Sequence, residues 1–259
     1  MIPVVLTIAG SDPSGGAGIQ ADIKTFHQFG VYGTSVVTLV TVQNTRSVQE
    51  VEILPAGLVE AQLDAVLEDL PPLAAKTGAL GTAEIISALA RRACGFRFPL
   101  VVDPVMISKH GRSLITEAAR EVLLEKLVPL AFLVTPNLQE AGFLSGTTVH
   151  DLDTMQEAAR RISARGAKAV LVKGGHLEGE AVDVLYWNQQ FHRFSTPRIE
   201  TRHTHGTGCT FSAAITAGLA AGLPLPQAVA KAKRYITAAI QSNPGLGLGC
   251  GPVNHHAGT

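Results

Sequence analysis

Short runs of β-branched and apolar residues alternate along the chain with longer segments in which apolar residues recur at helical spacing. Ala56–Leu70, for example, places its apolar residues three and four positions apart, as in a helix with one buried face. The short runs predict strands at Val4–Ala9, Ser35–Val42, Ala74–Lys76, Leu100–Val102, Phe132–Val134 and Ala169–Val172. The periodic segments predict helices at Ala17–Phe29, Ala56–Leu70, Ala83–Ala93, Glu117–Leu127, Thr154–Ala164, Cys209–Ala221 and Gln227–Gln241. A β hairpin is predicted for Val182–Trp187 and Gln190–Phe194.

Repeated strand–helix units predict an α/β fold with a central, mostly parallel sheet that is flanked by helices on both faces. Neither a low-complexity linker nor a long repeat divides the chain, so residues 1–259 are predicted to form a single domain with the small β hairpin appended. Ligands of such folds bind at the carboxyl ends of the strands. The residues that follow each strand are therefore the candidates for function.

Composition narrows the classes of partner. The chain has 259 residues, 46% of them hydrophobic, and carries 21 Lys+Arg against 21 Asp+Glu. Zero net charge without a basic run argues against nucleic acid or an anionic membrane as a partner. The start lacks a signal-peptide pattern, and the longest apolar run is too interrupted to span a membrane. Three widely spaced cysteines, Cys94, Cys209 and Cys250, argue against a disulfide framework or a zinc site and predict a cytoplasmic, reducing compartment.

Two loops after the first strands have the composition of a ligand site. The glycine-rich segment "GSDPSGGAGIQAD" follows the first strand and leads into a helix that carries Asp22. It is not a Walker A loop, and its match to a dinucleotide motif at Gly16–Ala21 lies six residues beyond the strand. The second strand ends in "VQNT", where the amide of Gln43 can both donate to and accept from a heterocycle. An ordinary turn is the alternative for both segments.

Charged residues follow three later strands. "DPVMISKHG" and "TPNLQEAG" place Asp103 and Glu140 where carboxylates could hold Mg²⁺, directly or through water. Lys109 and, in "VLVKGGH", Lys173 are point charges suited to phosphate. A turn acid, a helix-surface acid and a solvated lysine are the alternatives, but three such strand ends together favour a functional interpretation.

The segment "THGTGC" opens the long helix near the C-terminus. Gly206 and Gly208 leave backbone N–H groups uncovered at a helix start, which is an arrangement that binds anions. A thiol at this position is expected to have its pKa lowered from about 8.5 toward neutrality. Cys209 is then either a reactive group, acting as a base or a nucleophile, or a small residue chosen for packing.

Taken together, these segments resemble a known family. "AGSDPSGGAGIQADIKT", "VQNT", "DPVM", "TPN..EA", "VKGGH", "HGTGCT.SAA" and "GPVNH" match, in order, the hydroxymethylpyrimidine/phosphomethylpyrimidine kinases of thiamine biosynthesis, within the ribokinase-like superfamily. The resemblance extends from Ile2 to His255. It implies a ribokinase-like fold with a small β flap over the substrate. Pyridoxal kinases with a cysteine in this loop share much of the pattern.

The resemblance also implies roles for single residues. The aminopyrimidine pocket would be lined by Gly10, Asp22, Val42, Gln43 and Val105. Nucleotide and phosphates would be held by Asn137, Lys173 and Thr207, and Mg²⁺ would be ordered by Asp103 and Glu140. The catalytic group would comprise Lys173, Gly206, Gly208 and Cys209, with Cys209 accepting the proton from the substrate as the γ-phosphoryl group arrives.

The implied activity is ATP- and Mg²⁺-dependent phosphorylation of 4-amino-5-hydroxymethyl-2-methylpyrimidine and then of its monophosphate, by a cytoplasmic homodimer. A monovalent activating cation stays open. A pyridoxal kinase is the alternative within the class, since both substrates are small heteroaromatic rings with a hydroxymethyl group. An enzyme with Cys209 as covalent nucleophile and His205 as its base, and a non-catalytic pyrimidine-binding protein, are alternatives outside it.

Three positions depart from the family pattern. Ala79 stands where relatives usually carry a larger apolar residue, often Met, so the pocket wall is expected to be reshaped. Ser47 replaces a common Gly near the flap, and His110 replaces a small residue. His255 and His256, near the end of the chain, are expected to form a solvated tail.

Overall fold

The computed structural model describes residues 2–109, 111–175, 177 and 179–259. Within them the strands are β1 (Val4–Ser11), β2 (Tyr32–Gln43), β3 (Val48–Ile53), β4 (Ala74–Thr77), β5 (Leu100–Val102), β6 (Leu133–Val134), β7 (Ala169–Val172), β8 (Ala181–Trp187) and β9 (Gln190–Thr196). They form one sheet in the order β3-β2-β1-β4-β5-β6-β7-β8-β9. The six strands from β2 to β7 in that order pair in parallel, which confirms the predicted mostly parallel sheet.

The helices of the described residues are α1 (Gly18–Gln28), α2 (Ala56–Asp69), α3 (Ala83–Ala93), α4 (Glu117–Val122), α5 (Leu138–Ser145), α6 (Leu152–Ser163), α7 (Thr207–Ala220) and α8 (Leu225–Gln241). After α4 the chain continues as a π-helical turn, Leu123–Leu127, and a 3-10 turn, Val128–Leu130. None of these helices combines the length and the apolar character needed to cross a membrane.

The two faces of the sheet bury separate cores. Buried residues of α2, α3, α4, α5 and α6 pack with Leu6 and Ile8 of β1 on one face. Helices α1, α7 and α8 cover the other face, where Val5 of β1 packs with Phe26 of α1. Successive β1 side chains point to opposite faces, so this strand contributes to both cores. The predicted helices on both faces are confirmed.

The elements differ from their predictions mainly at the sheet edges. The β8–β9 hairpin is confirmed, but β8 pairs with β7, so the hairpin extends the main sheet and is not an appendage. Strand β3 was not predicted, because Glu50 and Glu52 interrupt its apolar residues as expected for an edge strand with a solvated face. The eight-residue helix α5 is too short to give a clear period.

The C-terminal segment packs against the body of the protein. The ring of His255 lies 3.1 Å from Thr210 Oγ1 in α7, and Tyr235 donates a hydrogen bond to the His255 carbonyl. His255 is only 6% exposed, so the expectation of a solvated tail is wrong for it, whereas His256 is exposed. Burial lowers the pKa of His255 to about 4.

Candidate active site

A cavity of about 860 Å³ opens along the carboxyl ends of the parallel strands. Strands β2 and β3 lie on one side of β1, and the chain then crosses to β4 on the other side. The strand order therefore reverses at β1, which is where α/β folds bind ligands. The predicted site residues that line this cavity are Gly10, Gln43, Asp103, Val105, Asn137, Glu140, Lys173, Gly206, Thr207, Gly208 and Cys209. The residues that follow the strands therefore share one cavity. Lys109 and Ala79 line the same cavity.

Asp22 does not line the cavity, contrary to expectation. Its side chain is fully buried between α1 and the sheet, where Lys76 Nζ of β4 lies 2.8 Å from each carboxylate oxygen. Thr7 Oγ1 donates a further hydrogen bond of 2.6 Å. A carboxylate with an ion pair and a third donor is satisfied without a ligand. Asp22 is thus paired with Lys76 beneath the cavity and is not part of its lining.

Val42 is the second predicted substrate residue that the structure places elsewhere. Side chains along β2 alternate between faces, and Thr41 and Gln43 line the cavity. Val42 lies between them, points to the opposite side and is 49% exposed. It therefore cannot pack on a ring held in the cavity. Val105, which follows β5, does line it as predicted.

Glycines allow the loops around the cavity to approach one another closely. A Cβ on Gly10 would lie 2.5 Å from Leu39 Cδ1. Gly206, at the N-cap of α7, has φ +77°, and a Cβ there would lie 1.7 Å from the carbonyl oxygen of Gly16. The two glycine-rich segments of the sequence are therefore in direct contact, and only glycine fits at position 206.

The start of α7 is built for an anion. No side chain caps the helix, so its first N–H groups are not covered in that way. The Thr207 hydroxyl donates to the Thr204 carbonyl at 2.8 Å. A Cβ on Gly208 would lie 3.3 Å from Lys173 Nζ and 3.9 Å from Asp103 Oδ2, so the backbone here faces a fixed ammonium group. The Thr207 N–H donates to the Thr204 carbonyl, so the helix dipole, the remaining first-turn N–H groups and the lysine form the anion site.

Asp103 and Lys173 form a buried ion pair beside this helix start. Lys173 Nζ lies 2.9 Å from Asp103 Oδ1, and the hydroxyls of Thr135 and Ser212 each donate to the carboxylate at 3.2 Å. Burial alone would raise the pKa of Asp103, but the Lys173 and Lys76 ammonium groups outweigh it and hold that pKa below its ordinary value. Burial alone would lower the pKa of Lys173, but the charges of Asp103 and Glu140 outweigh burial and raise that pKa above its ordinary value. The lysine therefore stays charged.

Glu140 and Asn137 close the same side of the cavity as a capping box. The Asn137 side chain accepts from the Glu140 backbone N–H at 2.9 Å, and a Glu140 oxygen accepts from the Asn137 N–H at 2.8 Å. Burial raises the pKa of Glu140 to about 7, because Lys173 only partly offsets burial and the nearby Asp103 charge. Both residues lie where they were predicted, and each has a structural task in addition.

Cys209 lies half-buried in the first turn of α7. Burial raises the pKa of its thiol to about 11, with Asp22 and Asp103 adding to the rise and the Lys76 ammonium opposing it. The expected lowering of this pKa is therefore wrong, because desolvation and two carboxylates outweigh the Lys76 ammonium and the hydrogen bond from the Gly18 backbone. All three cysteines are free, as predicted. A protonated thiol is neither a nucleophile nor a base, so either role at neutral pH requires bound ligands to lower this pKa.

Sequence analysis missed a buried chain of polar groups that ends at Gln43. The same ring nitrogen of His205, Nε2, lies 2.8 Å from Asp12 Oδ2 and 3.0 Å from Gln43 Nε2. Asp12 and His205 both line the cavity. Asp12 lies in the glycine-rich segment "GSDPSGG" and His205 in "THGTGC". An acid and a histidine in two glycine-rich segments were the signal in the sequence that could have indicated this contact.

A second buried pair was also missed. Lys233 Nζ of α8 lies 2.7 Å from Asp183 Oδ2 of β8, while Asp183 Oδ1 accepts from the backbone N–H of Gly174. The pair fixes the loop that follows Lys173. Of the departures, Ala79 lines the cavity, Ser47 lies in the turn between β2 and β3, and His110 lies outside the described residues.

Comparison with known proteins shows the family of the chain. A model of the phosphomethylpyrimidine kinase family matches residues 12–254. The thiamine biosynthesis bifunctional protein ThiED of Geobacter sulfurreducens is 54% identical over 97% of the chain, which spans only about half (52%) of that longer protein. The hydroxymethylpyrimidine/phosphomethylpyrimidine kinase of Streptomyces coelicolor is 47% identical, with 98% of this chain and 94% of that protein covered.

Solved structures include kinases for two kinds of ring. Pyridoxal kinase from Bacillus subtilis, solved as an ADP complex, has a TM-score of 0.93 at 40% identity, with 99% of this chain and 98% of that chain covered. Phosphomethylpyrimidine kinase from Clostridium difficile has a TM-score of 0.82 at 46% identity, with 92% and 99% covered. The fold is therefore ribokinase-like, and the chain belongs to the phosphomethylpyrimidine kinase family of phosphotransferases.

Proposed function

We propose that this protein transfers the γ-phosphoryl group of ATP to the hydroxymethyl group of 4-amino-5-hydroxymethyl-2-methylpyrimidine, and then to the monophosphate that results. The observation that carries the proposal is a single cavity with an amide, Gln43, on one wall and the uncapped start of α7 beside Lys173 on another. The amide suits an aminopyrimidine edge, and the helix start suits a transferring phosphoryl group.

The chain's own groups divide the work of phosphoryl transfer. The backbone N–H groups at Gly206 and Gly208 face the charge that develops on the phosphoryl oxygens, and Lys173 adds a fixed positive charge. Asn137 lines the same cavity and is proposed to contact the nucleotide. Catalysis of this kind rests on positioning and charge neutralisation more than on covalent chemistry.

Cys209 is proposed as the proton acceptor for the substrate hydroxyl. Its thiol is protonated in the resting protein at neutral pH, since the pKa is about 11. The Lys76 ammonium acts against that rise, and a magnesium ion bound near the thiol would act in the same direction, whereas the nucleotide phosphates would oppose it. Ionisation of Cys209 is therefore expected to depend on the bound ligands.

Magnesium fits this site as a partner of the nucleotide. No three His, Cys, Asp or Glu side chains group as ion ligands in the parts of the chain that the structure describes. Asp103 and Glu140 nevertheless line the cavity together beside Lys173. Mg²⁺ commonly binds one or two carboxylates, often through water, with substrate phosphates as its other ligands. When bound, the ion would neutralise phosphate charge.

Pyridoxal kinase activity is the second candidate. The fold matches the Bacillus subtilis pyridoxal kinase with a higher TM-score than the Clostridium difficile phosphomethylpyrimidine kinase, although the identity is lower. The small side chain of Ala79 leaves more space at this wall of the cavity, which favours a ring with more substituents. The pyrimidine is preferred here because the family match and the Streptomyces coelicolor relative name it.

Initial rates with ATP and Mg²⁺ test the proposal when the aminopyrimidine, its monophosphate and pyridoxal are offered side by side. We expect the highest kcat/KM with the two pyrimidines, and mono- and diphosphate products by mass spectrometry. A wide preference for pyridoxal would replace the proposal by its alternative. No ATP consumption with any of the three would make the protein a binding protein.

The homodimer, the cytoplasmic location, the single domain and a monovalent activating cation stay predictions. Light scattering of the purified protein measures whether it is a dimer. Turnover in K⁺ compared with a large organic cation at equal ionic strength measures activation by a monovalent cation.

A further inference from the structure

One ring nitrogen of His205, Nε2, lies between the carboxylate of Asp12 and the side-chain amide of Gln43. His205 is 4% exposed and Asp12 is 3% exposed, so water does not replace these contacts. The Nε2 atom lies 2.8 Å from Asp12 Oδ2 and 3.0 Å from the Gln43 amide nitrogen. Both are hydrogen-bond distances. The chemistry of the two partners then decides whether Nε2 carries the proton.

Asp12 is an ionised acceptor. Its carboxylate accepts from the backbone N–H and the hydroxyl of Ser14, at 2.9 and 2.7 Å, and from the Ala17 N–H at 2.9 Å. Burial would raise its pKa, but the hydrogen bonds from His205 and Ser14 outweigh burial and lower it. A carboxylate can only accept, so His205 Nε2 must carry a proton and donate.

The proton on Nε2 decides the orientation of the glutamine amide. With Nε2–H fixed as a donor, the amide nitrogen of Gln43 would set donor against donor at 3.0 Å. The two ends of an amide differ by one rotation and have nearly the same shape. Turned by that rotation, the carbonyl oxygen of Gln43 shares the Nε2–H that also donates to Asp12, in a three-centre hydrogen bond, and the NH₂ group becomes the end available to a ligand in the cavity.

The histidine is held firmly enough to do this. Its backbone N–H donates to the Gly251 carbonyl at 3.0 Å, and its own carbonyl accepts from Val253. The ring packs against Gly16, where a Cβ would lie 2.5 Å from His205 Cδ2. The imidazole therefore lies between two chain segments, with little room to rotate.

We propose that Asp12 and His205 are positioning residues that fix the Gln43 amide with its NH₂ group toward the ligand. The ring edge that Gln43 reads must then present an acceptor, such as a ring nitrogen, to that NH₂ group. The inference rests on the proposed function and deepens it, since it assigns a direction to the hydrogen bond that selects the heterocycle.

A double-mutant cycle tests the inference. The variants are His205→Phe, which keeps a ring but removes the N–H donor, Gln43→Ala, and both together. Binding of the aminopyrimidine and of ATP is measured by calorimetry on each folded protein. His27→Phe, on the exposed side of α1, controls for the substitution itself.

We expect His205→Phe to weaken pyrimidine binding about ten- to a hundredfold, the usual effect of losing a buried hydrogen bond, with ATP binding within about twofold. In the Gln43→Ala background the same change should add less than about twofold. Equal losses in both backgrounds, or an equal loss for ATP, overturn the inference. If His205→Phe does not fold, Asp12→Asn takes its place in the same cycle with the same two outcomes.

The cycle separates the inference from the function on which it rests. A wild-type protein that fails to bind the pyrimidine overturns both. A wild-type protein that binds it, with additive losses in the variants, overturns the role of Asp12 and His205 alone.

Discussion

Cys209 sits among charges that act on its thiol in opposite directions. Asp22 and Asp103 disfavour the thiolate, Lys76 favours it, and burial disfavours it most. The Asp22–Lys76 pair is fully buried, so its field at the thiol is not screened by water. The ionisation of this one residue thus reports the balance of the whole floor of the site.

Replacing Cys209 by Ala is expected to lower kcat by about 10²–10⁴, the range for a lost acid–base group, with ATP affinity kept. The companion measurement is alkylation of Cys209 in a protein with Cys94 and Cys250 changed to Ser. With a pKa of about 11, its rate should rise about tenfold for each pH unit from 7 to 9. Wild-type turnover of Cys209→Ala would make the thiol a packing residue. Fast, pH-independent alkylation would contradict the raised pKa.

Ala79 is the residue at which cavity shape and substrate choice meet. It is 9% exposed on the cavity wall, and its carbonyl accepts from the Thr38 hydroxyl. Ala79→Met is expected to fill part of the cavity and to disfavour pyridoxal, which has one more ring substituent than the pyrimidine. The ratio of the two kcat/KM values should shift by about tenfold toward the pyrimidine. An unchanged ratio would place the ring away from Ala79.

At the scale of elements, the start of α7 depends on one glycine. Gly206 combines a left-handed φ of +77° with contact to the Gly16 carbonyl, so the anion site forms only if both glycine-rich segments meet. Gly222, after the end of α7, has a similar φ of +82° but no atom within 4 Å of a Cβ. Substitution of Gly222 would therefore test the cost of the left-handed backbone alone, whereas substitution of Gly206 adds the clash with Gly16.

Gly206→Ala is therefore expected to abolish detectable ATP binding, because the new methyl group forces the segments apart. Gly222→Ala should cost only the left-handed strain, about 1–2 kcal/mol of unfolding free energy, with ATP affinity unchanged. Calorimetric Kd values and denaturant unfolding of both variants provide the comparison. Equal ATP affinity in the two variants would mean that α7 does not need this contact.

Sequence patterns located the elements that end at the site but not the direction of their side chains. The strands before Gly10, Gln43 and Asp103 were predicted within a few residues, because buried parallel strands are continuous apolar runs. Val42 was misplaced since a period of two leaves the choice of face open until the register is known. Asp22 was misplaced because its partner, Lys76, lies 54 residues away on another strand.

At the scale of the whole molecule, the C-terminal segment ties α7 and α8 together. His255 contacts Thr210 of α7 and receives a hydrogen bond from Tyr235 of α8 through its carbonyl. Burial of the ring disfavours its charged form and so lowers its pKa. Two adjacent histidines show neither helical nor strand periodicity, so the sequence predicts a solvated tail. Only the packed structure shows that His255 is buried and His256 exposed.

Stability is expected to fall at mildly acidic pH because of this residue. A histidine whose pKa drops from 6.5 to about 4 on folding binds its proton more readily when unfolded. Its contribution is therefore complete above about pH 6.5 and is lost as the pH falls toward 4, by up to about 3 kcal/mol. His255→Gln should flatten that part of the unfolding profile, whereas His256→Gln, at an exposed position, should not. Parallel profiles for all three proteins would contradict the assignment.

The most direct test of the account is a crystal structure with 4-amino-5-hydroxymethyl-2-methylpyrimidine and a non-hydrolysable ATP analogue bound together. We predict that the ring edge lies within hydrogen-bond distance of Gln43, that the hydroxymethyl group faces Cys209, and that the γ-phosphate lies between the start of α7 and Lys173. A ring bound outside this cavity, or a hydroxymethyl group turned away from α7, would contradict it.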